Sequence, residues 1–337
     1  MKPTILDVAR HANVSKASVS RVINNNPKVD KNIRERVEQA IEELGYRPSA
    51  IARNLANNTS NMIGLILPDI TNPFFPLVAR GIEDAAHELG YTLFICNTDN
   101  DPKIEQEYIH KMAQQQVGGI ILISSIIDEG KMNDLLSLQI PFVLCDRTIT
   151  QTPFDVVTID HYRAAYEAVE HLISQGHKSI CHISGPLQVQ TAVTRKEGYM
   201  DAMLAAGLSP RIGVGNFSYE SGVEQMNLLL NGDSYQPTAL FAANDLIAFG
   251  AMNAIKARGL SIPGDIAVIG CDDIIFGQMY NPALSSISVP TYQIGATAVS
   301  LLNDRMKGER MDARQVILKH QLIYRETCIG GTRQDEL

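Results

Sequence analysis

The chain of 337 residues has no apolar run of the roughly 18 residues that a membrane-spanning helix requires. Its first twenty positions also lack the apolar core of a secretory signal. They carry instead the charged residues Lys2, Asp7, Arg10 and Lys16. We therefore expect a cytoplasmic protein that has no membrane partner.

Motifs of catalysis, nucleotide binding and metal binding are also missing. The sequence lacks a G-x-x-x-x-G-K-[ST] phosphate loop, a G-x-G-x-x-G turn after a strand, a G-x-S-x-G elbow and an H-E-x-x-H pair. Its eight histidines show no metal-ligand spacing, and its five cysteines form no C-x-x-C pair. We therefore expect free thiols, no enzyme activity, no metal and no cofactor.

Charge is distributed unevenly along the chain. The first 60 residues carry ten Lys or Arg and six Asp or Glu, whereas the remaining 277 residues carry nineteen and thirty-one. The overall net charge of −8 therefore hides a basic head attached to an acidic body. This asymmetry is typical of a polyanion-binding module that is joined to a separate sensor.

Two short helices separated by a tight break are predicted in the head. Thr4 can cap the first helix, and Ser15 can cap the second, over residues 16–23. This pattern predicts a helix-turn-helix, whose second helix enters the major groove of DNA. A three-helix bundle without a ligand would show the same spacing, but the second helix also concentrates groups that suit phosphates and base edges. These groups are Ser15, Lys16, Ser18, Ser20 and Arg21.

A longer helix from Asp30 to Leu44 completes the head, and Gly45 ends it. Residues 50–57 are compatible with one further helix, but they are fewer than the roughly 12–15 residues that make an isolated helix marginally stable. We expect a helix-turn-helix DNA-binding domain at residues 1–46, a hinge helix and linker at residues 47–61, and a ligand-binding and dimerisation body at residues 62–337.

Several motifs of the head resemble the LacI (lactose-repressor) family. They are TILDVA at residues 4–9, VS at residues 14–15, VSRVIN at residues 19–24 and YRPSAIARNL at residues 46–55. In that family the segment after the bundle is a hinge helix that folds when two copies meet in the DNA minor groove. The resemblance therefore implies a homodimer on a palindromic operator.

The resemblance also implies roles for individual residues of the head. Lys16, Ala17 and Arg21 match the residues that read the major groove. Leu55 matches the wedge that opens a central base step, a recognised minor-groove device. Ile51 matches the contact between paired hinge helices. The remaining DNA-binding candidates in the matched motifs are Thr4, Asn24 and Ala52.

From residue 62 onward, apolar strand-like runs alternate with amphipathic helix-like stretches. This alternation predicts parallel sheets that are covered by helices on both faces. The fold class is therefore α/β, with an all-α head joined to a body of two doubly wound lobes. The body resembles a type-I periplasmic sugar-binding fold. We expect lobe 1 at about residues 62–160 and 290–320, and lobe 2 at about residues 161–289 and 321–330.

Polar residues follow the predicted strands, at the sheet edge where open α/β folds bind ligands. Carboxylates there can accept from sugar hydroxyls, guanidinium and amide groups can donate, and adjacent aromatic rings can stack on a sugar. The charges balance, whereas an anionic ligand would need surplus positive charge. Any one strand-end Asp or Asn could instead cap the next helix. The candidate ligand-binding residues are Asn72, Phe74, Phe75, Asp146, Arg147, Arg195, Asn244 and Asp272.

The segments PDITNPFFP at residues 68–76 and CDRT at residues 145–148 resemble the ribose-type branch of the family. One position departs from that branch, because Val289 stands where ribose binders usually present a glutamine. The combined prediction is a repressor whose operator affinity is controlled by a small neutral, ribose-like sugar bound between the lobes. The alternative is a corepressor-dependent regulator of the purine or carbon-catabolite-control type.

Overall fold

The computed structural model describes residues 3–23, 26–46, 60–123, 129–146, 152–231 and 236–328. The chain divides into two compact units, residues 1–61 and residues 62–337. Each unit contains its own hydrophobic core. Within the described ranges, no helix is both long and apolar enough to cross a membrane.

The first unit is a small helical domain of α1 (Ile5–His11), α2 (Lys16–Ile23) and α3 (Lys31–Leu44). Thr4 begins α1 with a reciprocal capping box to Asp7. Asp30 begins α3 by accepting from two backbone amides, and a left-handed glycine ends it. The predicted boundaries of these helices follow from such caps, which satisfy backbone groups that a helix end leaves unpaired.

A side chain of α3 stabilises the turn between α1 and α2 by hydrogen bonds. Asn13 adopts a left-handed backbone with φ 49°, and Arg36 donates from its guanidinium to the carbonyl oxygens of Ala12 and Asn13. Val19 of α2 is fully buried in the core below this turn. These contacts fix the direction of α2 relative to the rest of the bundle, which is the geometry of a helix-turn-helix.

The second unit contains two six-stranded sheets. The strands of the first sheet are β1 (Met62–Leu67), β2 (Thr92–Asn97), β3 (Gly119–Leu122), β4 (Phe142–Cys145), β5 (Asp155–Ile159) and β11 (Gln315–Leu318). They lie side by side in the order β11-β5-β4-β3-β1-β2. The strands of the second sheet are β6 (Ile180–Ser184), β7 (Arg211–Val214), β8 (Ala239–Ala242), β9 (Ala267–Asp272), β10 (Ser285–Ser288) and β12 (Gln321–Ile323). They lie side by side in the order β12-β10-β9-β8-β6-β7.

Helices cover both sheets. The first lobe is the first sheet with α4 (Phe74–Glu88), α5 (Pro102–Gln114), α6 (Glu129–Ser137) and α12 (Thr291–Met306). The second lobe is the second sheet with α7 (His161–Ser174), α8 (Gln190–Ala205), α9 (Tyr219–Leu230), α10 (Asp245–Ala257) and α11 (Phe276–Met279). The chain passes between the lobes at residues 160–161, 289–291 and 319–320.

Close helix packing in the first lobe depends on glycine. α4 and α12 cross where a Cβ on Gly81 would lie 2.2 Å from the carbonyl oxygen of Tyr292. A Cβ on Gly295 would lie 2.3 Å from the carbonyl oxygen of Val78. The two backbones therefore touch, and α12 is locked onto the first lobe although the chain enters it from the second lobe.

The structure confirms the α/β class and the doubly wound sheets, and it corrects one expectation. The first sheet is wholly parallel, but β12 runs antiparallel to β10 in the second sheet. The physical reason is that only residues 319–320 join β11 of the first sheet to β12 of the second. The chain therefore leaves the carboxyl end of the first sheet and enters the second sheet from the end at which its parallel strands finish, so β12 runs in the opposite direction.

Candidate ligand cleft and DNA-reading helix

Helix α2 presents a basic and polar face to solvent. Lys16, Ala17 and Arg21 are exposed, whereas Val19 and Val22 are buried in the core of the head. Residues four apart on a helix share one face, so Arg21 lies one turn along from Ala17. An exposed ammonium and guanidinium on one face can reach phosphates and base edges.

The hydroxyl candidates shape the starts of the helices. The Thr4 hydroxyl donates to the Asp7 carboxylate at 2.7 Å. Ser15 Oγ accepts from the amide of Ser18 at 3.1 Å and so begins α2. Ser20 is half-buried on α2. The other DNA-binding candidates lie outside the described residues, namely Asn24, Ile51, Ala52 and Leu55.

In the body, two carboxylates lie at the carboxyl ends of strands in different lobes. Asp146 follows β4 of the first sheet, and Asp272 is the last residue of β9 in the second. Both have positive φ values, 56° and 116°, which residues other than glycine rarely adopt. Backbone strain of this kind is concentrated at functional sites. Asp146 and Asp272 therefore combine an unusual backbone conformation with a position at a strand end.

Arg195 of α8 connects this region to the second lobe. The side chain is buried, and its guanidinium donates to the carbonyl oxygen of Ala243 at 2.6 Å and to Nδ1 of His161 at 3.3 Å. Its Nη2 lies 3.8 Å from Oδ1 of Asp272. A buried guanidinium is costly without such partners, so these contacts hold its charge at the strand ends.

His161, to which the sequence pattern did not point, completes the arrangement. It is the first residue of α7, it is 1% exposed, and its Nε2 lies 2.9 Å from Oδ1 of Asp146. A continuous series of contacts therefore crosses from one lobe to the other. We call it the cleft array, which consists of Asp146, His161, Arg195 and Asp272. The sequence signal that could have pointed to His161 is its position directly after β5, since Asp146 and Asp272 also lie at strand ends.

The surroundings disfavour isolated charges. Burial raises the pKa of Asp272 well above its ordinary value, although the charge of Arg195 opposes this. Burial also raises the pKa of the neighbouring Asp245, against hydrogen bonds from the Ser286 hydroxyl at 2.6 Å and the Ile274 amide at 2.8 Å. The charged form of each carboxylate in the site is therefore stabilised only by its neighbouring donors and cations.

Asn244 and Phe217 lie beside the cleft array. Asn244 Oδ1 accepts from the Ile247 amide at 2.9 Å, and its Nδ2 donates to the carbonyl oxygen of Phe217 at 3.1 Å. Asn244 is thus the cap of α10, and the carbonyl oxygen of the preceding residue, Ala243, accepts from Arg195. The Phe217 ring lies so close to Gly185 that a Cβ there would be 2.2 Å from it. The sequence pattern did not point to Phe217 because it follows β7, a short edge strand that lacks an apolar run.

Three further candidates lie together at the start of α4. Asn72 Oδ1 accepts from the Phe74 amide at 3.1 Å. The Phe74 and Phe75 rings meet edge to face at 5.2 Å, and Phe74 is buried in the core while Phe75 is half-buried. Phe75 is therefore the more accessible ring. The remaining candidate, Arg147, lies outside the described residues.

Val289 is buried next to the point where the chain enters α12. It is 4% exposed and belongs to the apolar core cluster. The position therefore carries an apolar side chain of the core, where a glutamine would carry an amide.

Comparison with known proteins identifies the family. A family model of periplasmic binding proteins and the sugar-binding domain of the LacI family matches residues 60–326. A second model, of bacterial regulatory proteins of the lacI family, matches residues 4–49. The chain belongs to the LacI family. The resemblance first seen in the head and body is thus confirmed over nearly the whole chain.

Curated relatives of this LacI-family chain are regulators of differing specificity. It is 39% identical to the catabolite control protein A of Priestia megaterium over 331 residues, which cover 97% of this chain and 99% of that protein. It is 37% identical to the ribose operon repressor of Halalkalibacterium halodurans over 334 residues, which cover 98% and 99%.

Among solved structures, the chain is similar to the lac repressor dimer bound to operator and the anti-inducer ONPF. The TM-score is 0.89 at 29% identity, and the match covers 98% of this chain and 100% of that one. The chain is therefore a DNA-binding transcriptional repressor of the LacI family with a sugar-binding domain, and its relatives are regulators and not enzymes.

Proposed function

We propose that this repressor changes its operator affinity when a small neutral, ribose-like sugar binds between the two lobes of the body. The observation that carries the proposal is the cleft array, in which Asp146 of the first lobe and Asp272 of the second lie at strand ends joined through Arg195 and His161. A ligand held there touches both lobes.

The chemistry of the array suits hydroxyl groups. Carboxylates accept from neighbouring hydroxyls and a guanidinium donates to their oxygens. The array has two carboxylates and one guanidinium, so it offers no surplus positive charge for an anionic ligand. Phe75 and Phe217 supply aromatic rings on opposite lobes that can stack on the apolar faces of a sugar. Val289 favours a sugar that requires no amide contact at that position.

On the DNA side, we propose a homodimer on a palindromic operator. Each protomer would place α2 in one major groove, with Lys16, Ala17 and Arg21 facing the bases or phosphates. The hinge at residues 47–61 would pair with its copy in the minor groove through Ile51, and Leu55 would open a central base step there, with Ala52 a further DNA-binding candidate of the hinge. The lac repressor structure to which this chain is similar is a dimer on its operator, which supports this arrangement.

A second candidate is a corepressor-dependent regulator of the carbon-catabolite-control or purine type. The specific observation in its favour is that the chain is 39% identical to catabolite control protein A and 37% identical to the ribose operon repressor, so sequence identity does not separate the two types. Under this candidate the cleft would bind a metabolite that raises operator affinity, or would leave control to another protein.

Isothermal titration calorimetry on the purified dimer distinguishes the candidates. We expect D-ribose or another neutral monosaccharide from a set with D-xylose and D-glucose to bind with saturable heat. Binding should be abolished in Asp146→Asn and retained in Asp69→Asn, a loop carboxylate of the same lobe that accepts from Thr71. Binding of hypoxanthine with no response to any sugar would support the purine-type alternative and overturn the sugar proposal.

A further inference from the structure

His161 lies at the point where the chain first crosses from the first lobe to the second. Asp160, immediately before it, caps α7 by accepting from the Arg163 amide at 2.8 Å. The cap orients the first turn of α7 so that the imidazole points back toward the strand ends. His161 is 1% exposed, so it lies behind the surface of the cleft, in contact with residues that a ligand could touch.

The hydrogen-bond partners of His161 fix its tautomer. Arg195 cannot accept a hydrogen bond, and its Nε–H donates to Nδ1 of His161 at 3.3 Å. The ring proton therefore lies on Nε2, which is 2.9 Å from Oδ1 of Asp146 and 3.4 Å from the Thr158 hydroxyl. A neutral imidazole with this single tautomer accepts from Arg195 and places its N–H beside the Asp146 carboxylate.

We propose that His161 is the positioning residue of the ligand cleft: its neutral Nε2–H tautomer ties Asp146 of the first lobe to Arg195 of the second, in the orientation that a sugar requires. The inference rests on the proposed function, because it assigns to His161 the orientation of two residues that would contact the sugar. His161 itself acts through them.

The charged groups around His161 determine what a second ring proton would do. Asp146 faces it from the end of β4, Arg195 from α8, and Asp160 precedes it on the chain. Burial lowers the pKa of His161, and Asp146 opposes that effect while Arg195 adds to it. A proton added at Nδ1 would confront the Nε–H of Arg195, so the guanidinium would have to leave its position. Acid should therefore weaken sugar binding through this residue.

Two variants separate positioning from mere packing. His161→Gln keeps an N–H donor at the end of a side chain of similar reach and cannot titrate. His161→Phe keeps the ring and loses both polar contacts. His87→Gln is the matched control, because His87 is exposed on α4.

The first measurement needs no ligand. NMR of histidine-labelled full-length protein should show His161 as the neutral Nε2–H tautomer from pH 8 to below its ordinary titration range. Asp146→Asn should shift the His161 resonance, and His87→Gln should leave it unchanged. A His161 ring that is mainly the Nδ1–H tautomer would overturn the proposal.

The second measurement is the affinity for D-ribose between pH 8 and pH 5. We expect His161→Phe to lose at least about tenfold in affinity at pH 8 and His161→Gln to stay within about threefold of wild type. Wild type and His87→Gln should weaken more steeply with acid than His161→Gln. Equal affinity of His161→Phe and wild type would overturn the inference. If wild type binds no sugar, the proposed function fails, and the tautomer measurement alone decides the role of His161.

Discussion

His182, a buried ionisable residue away from the cleft, is held in its neutral form by its surroundings. His182 of β6 is fully buried between the rings of Tyr199 and Phe241, at centroid distances of 5.1 and 5.0 Å. Its Nδ1 donates to the carbonyl oxygen of Phe241 at 2.8 Å, and among the described residues its Nε2 has no hydrogen-bond partner. The imidazole is therefore neutral, and its role is to pack between the two aromatic rings of the core.

This environment predicts a specific loss of stability in acid. Burial lowers the pKa of His182 to about 4, whereas the unfolded chain takes up the proton near 6.5. Between these values the unfolded state binds more protons, so the free energy of unfolding should fall as pH drops, by roughly 3 kcal/mol from this residue.

Urea denaturation followed by circular dichroism checks the prediction. His182→Phe, which keeps a ring in the stack, should flatten the decline between pH 6.5 and pH 4 by about that amount. His87→Gln, an exposed control, should decline like wild type. The same slope in His182→Phe and wild type would contradict the assignment.

At the scale of single elements, the proposed reading of DNA depends on α2. Arg21 is exposed on the outer face, one turn beyond Ala17. A bidentate contact to a base is worth roughly 1–3 kcal/mol, so Arg21→Ala should weaken operator binding and relax specificity at one base position in each half-site. Binding to a library of single-base operator variants measures both effects.

The control for Arg21 is Arg10→Ala, since the Arg10 side chain on α1 is 81% exposed and makes only a long contact of 3.7 Å to Asp7. It should change affinity little and uniformly. If Arg21→Ala instead lowers affinity equally for every sequence, Arg21 contacts a phosphate and the base-reading role is wrong.

The elements that could be predicted from the sequence are those whose pattern is local. Strands such as β1 and β3 are buried on both faces, so they appear as unbroken apolar runs. The strand β7, with the sequence RIGV, is mostly exposed at a sheet edge and shows no such run. The antiparallel β12 has three residues, too few for any periodicity.

The candidate site could be predicted from the sequence only for residues that come directly after predicted strands or on the segment that follows one. Asp146 and Asp272 lie at the carboxyl ends of parallel strands, as such residues do in open α/β sheets. Arg195, on the helix after β6, lies 3.8 Å from Asp272 and is joined to Asp146 through His161. His161 could not be assigned a role from sequence, since its partners belong to both lobes and only the crossover of the chain brings them together. Asn244 also shows the limit of the rule, because its side chain caps α10.

At the scale of the whole molecule, the account requires that one ligand bias two lobes and thereby the DNA-binding head. A ligand shifts such an equilibrium only by its differential affinity for the two states. The first lobe begins at β1 (Met62–Leu67), and we propose that a change in the closure of the lobes acts on the head through the preceding residues 47–61. Arg195 is the group of the second lobe that reaches toward the first, through His161 and Asp146.

The most direct test is operator binding measured by fluorescence anisotropy with and without saturating D-ribose, in wild type, Arg195→Ala and Asp272→Ala. Arg163→Ala is the control, because Arg163 lies exposed on α7 and pairs with Glu167. We expect the sugar to change the operator affinity of wild type and Arg163→Ala by at least about tenfold. Arg195→Ala and Asp272→Ala should bind operator like sugar-free wild type and should not respond. A full response in both cleft variants, or no response in wild type, would contradict the account.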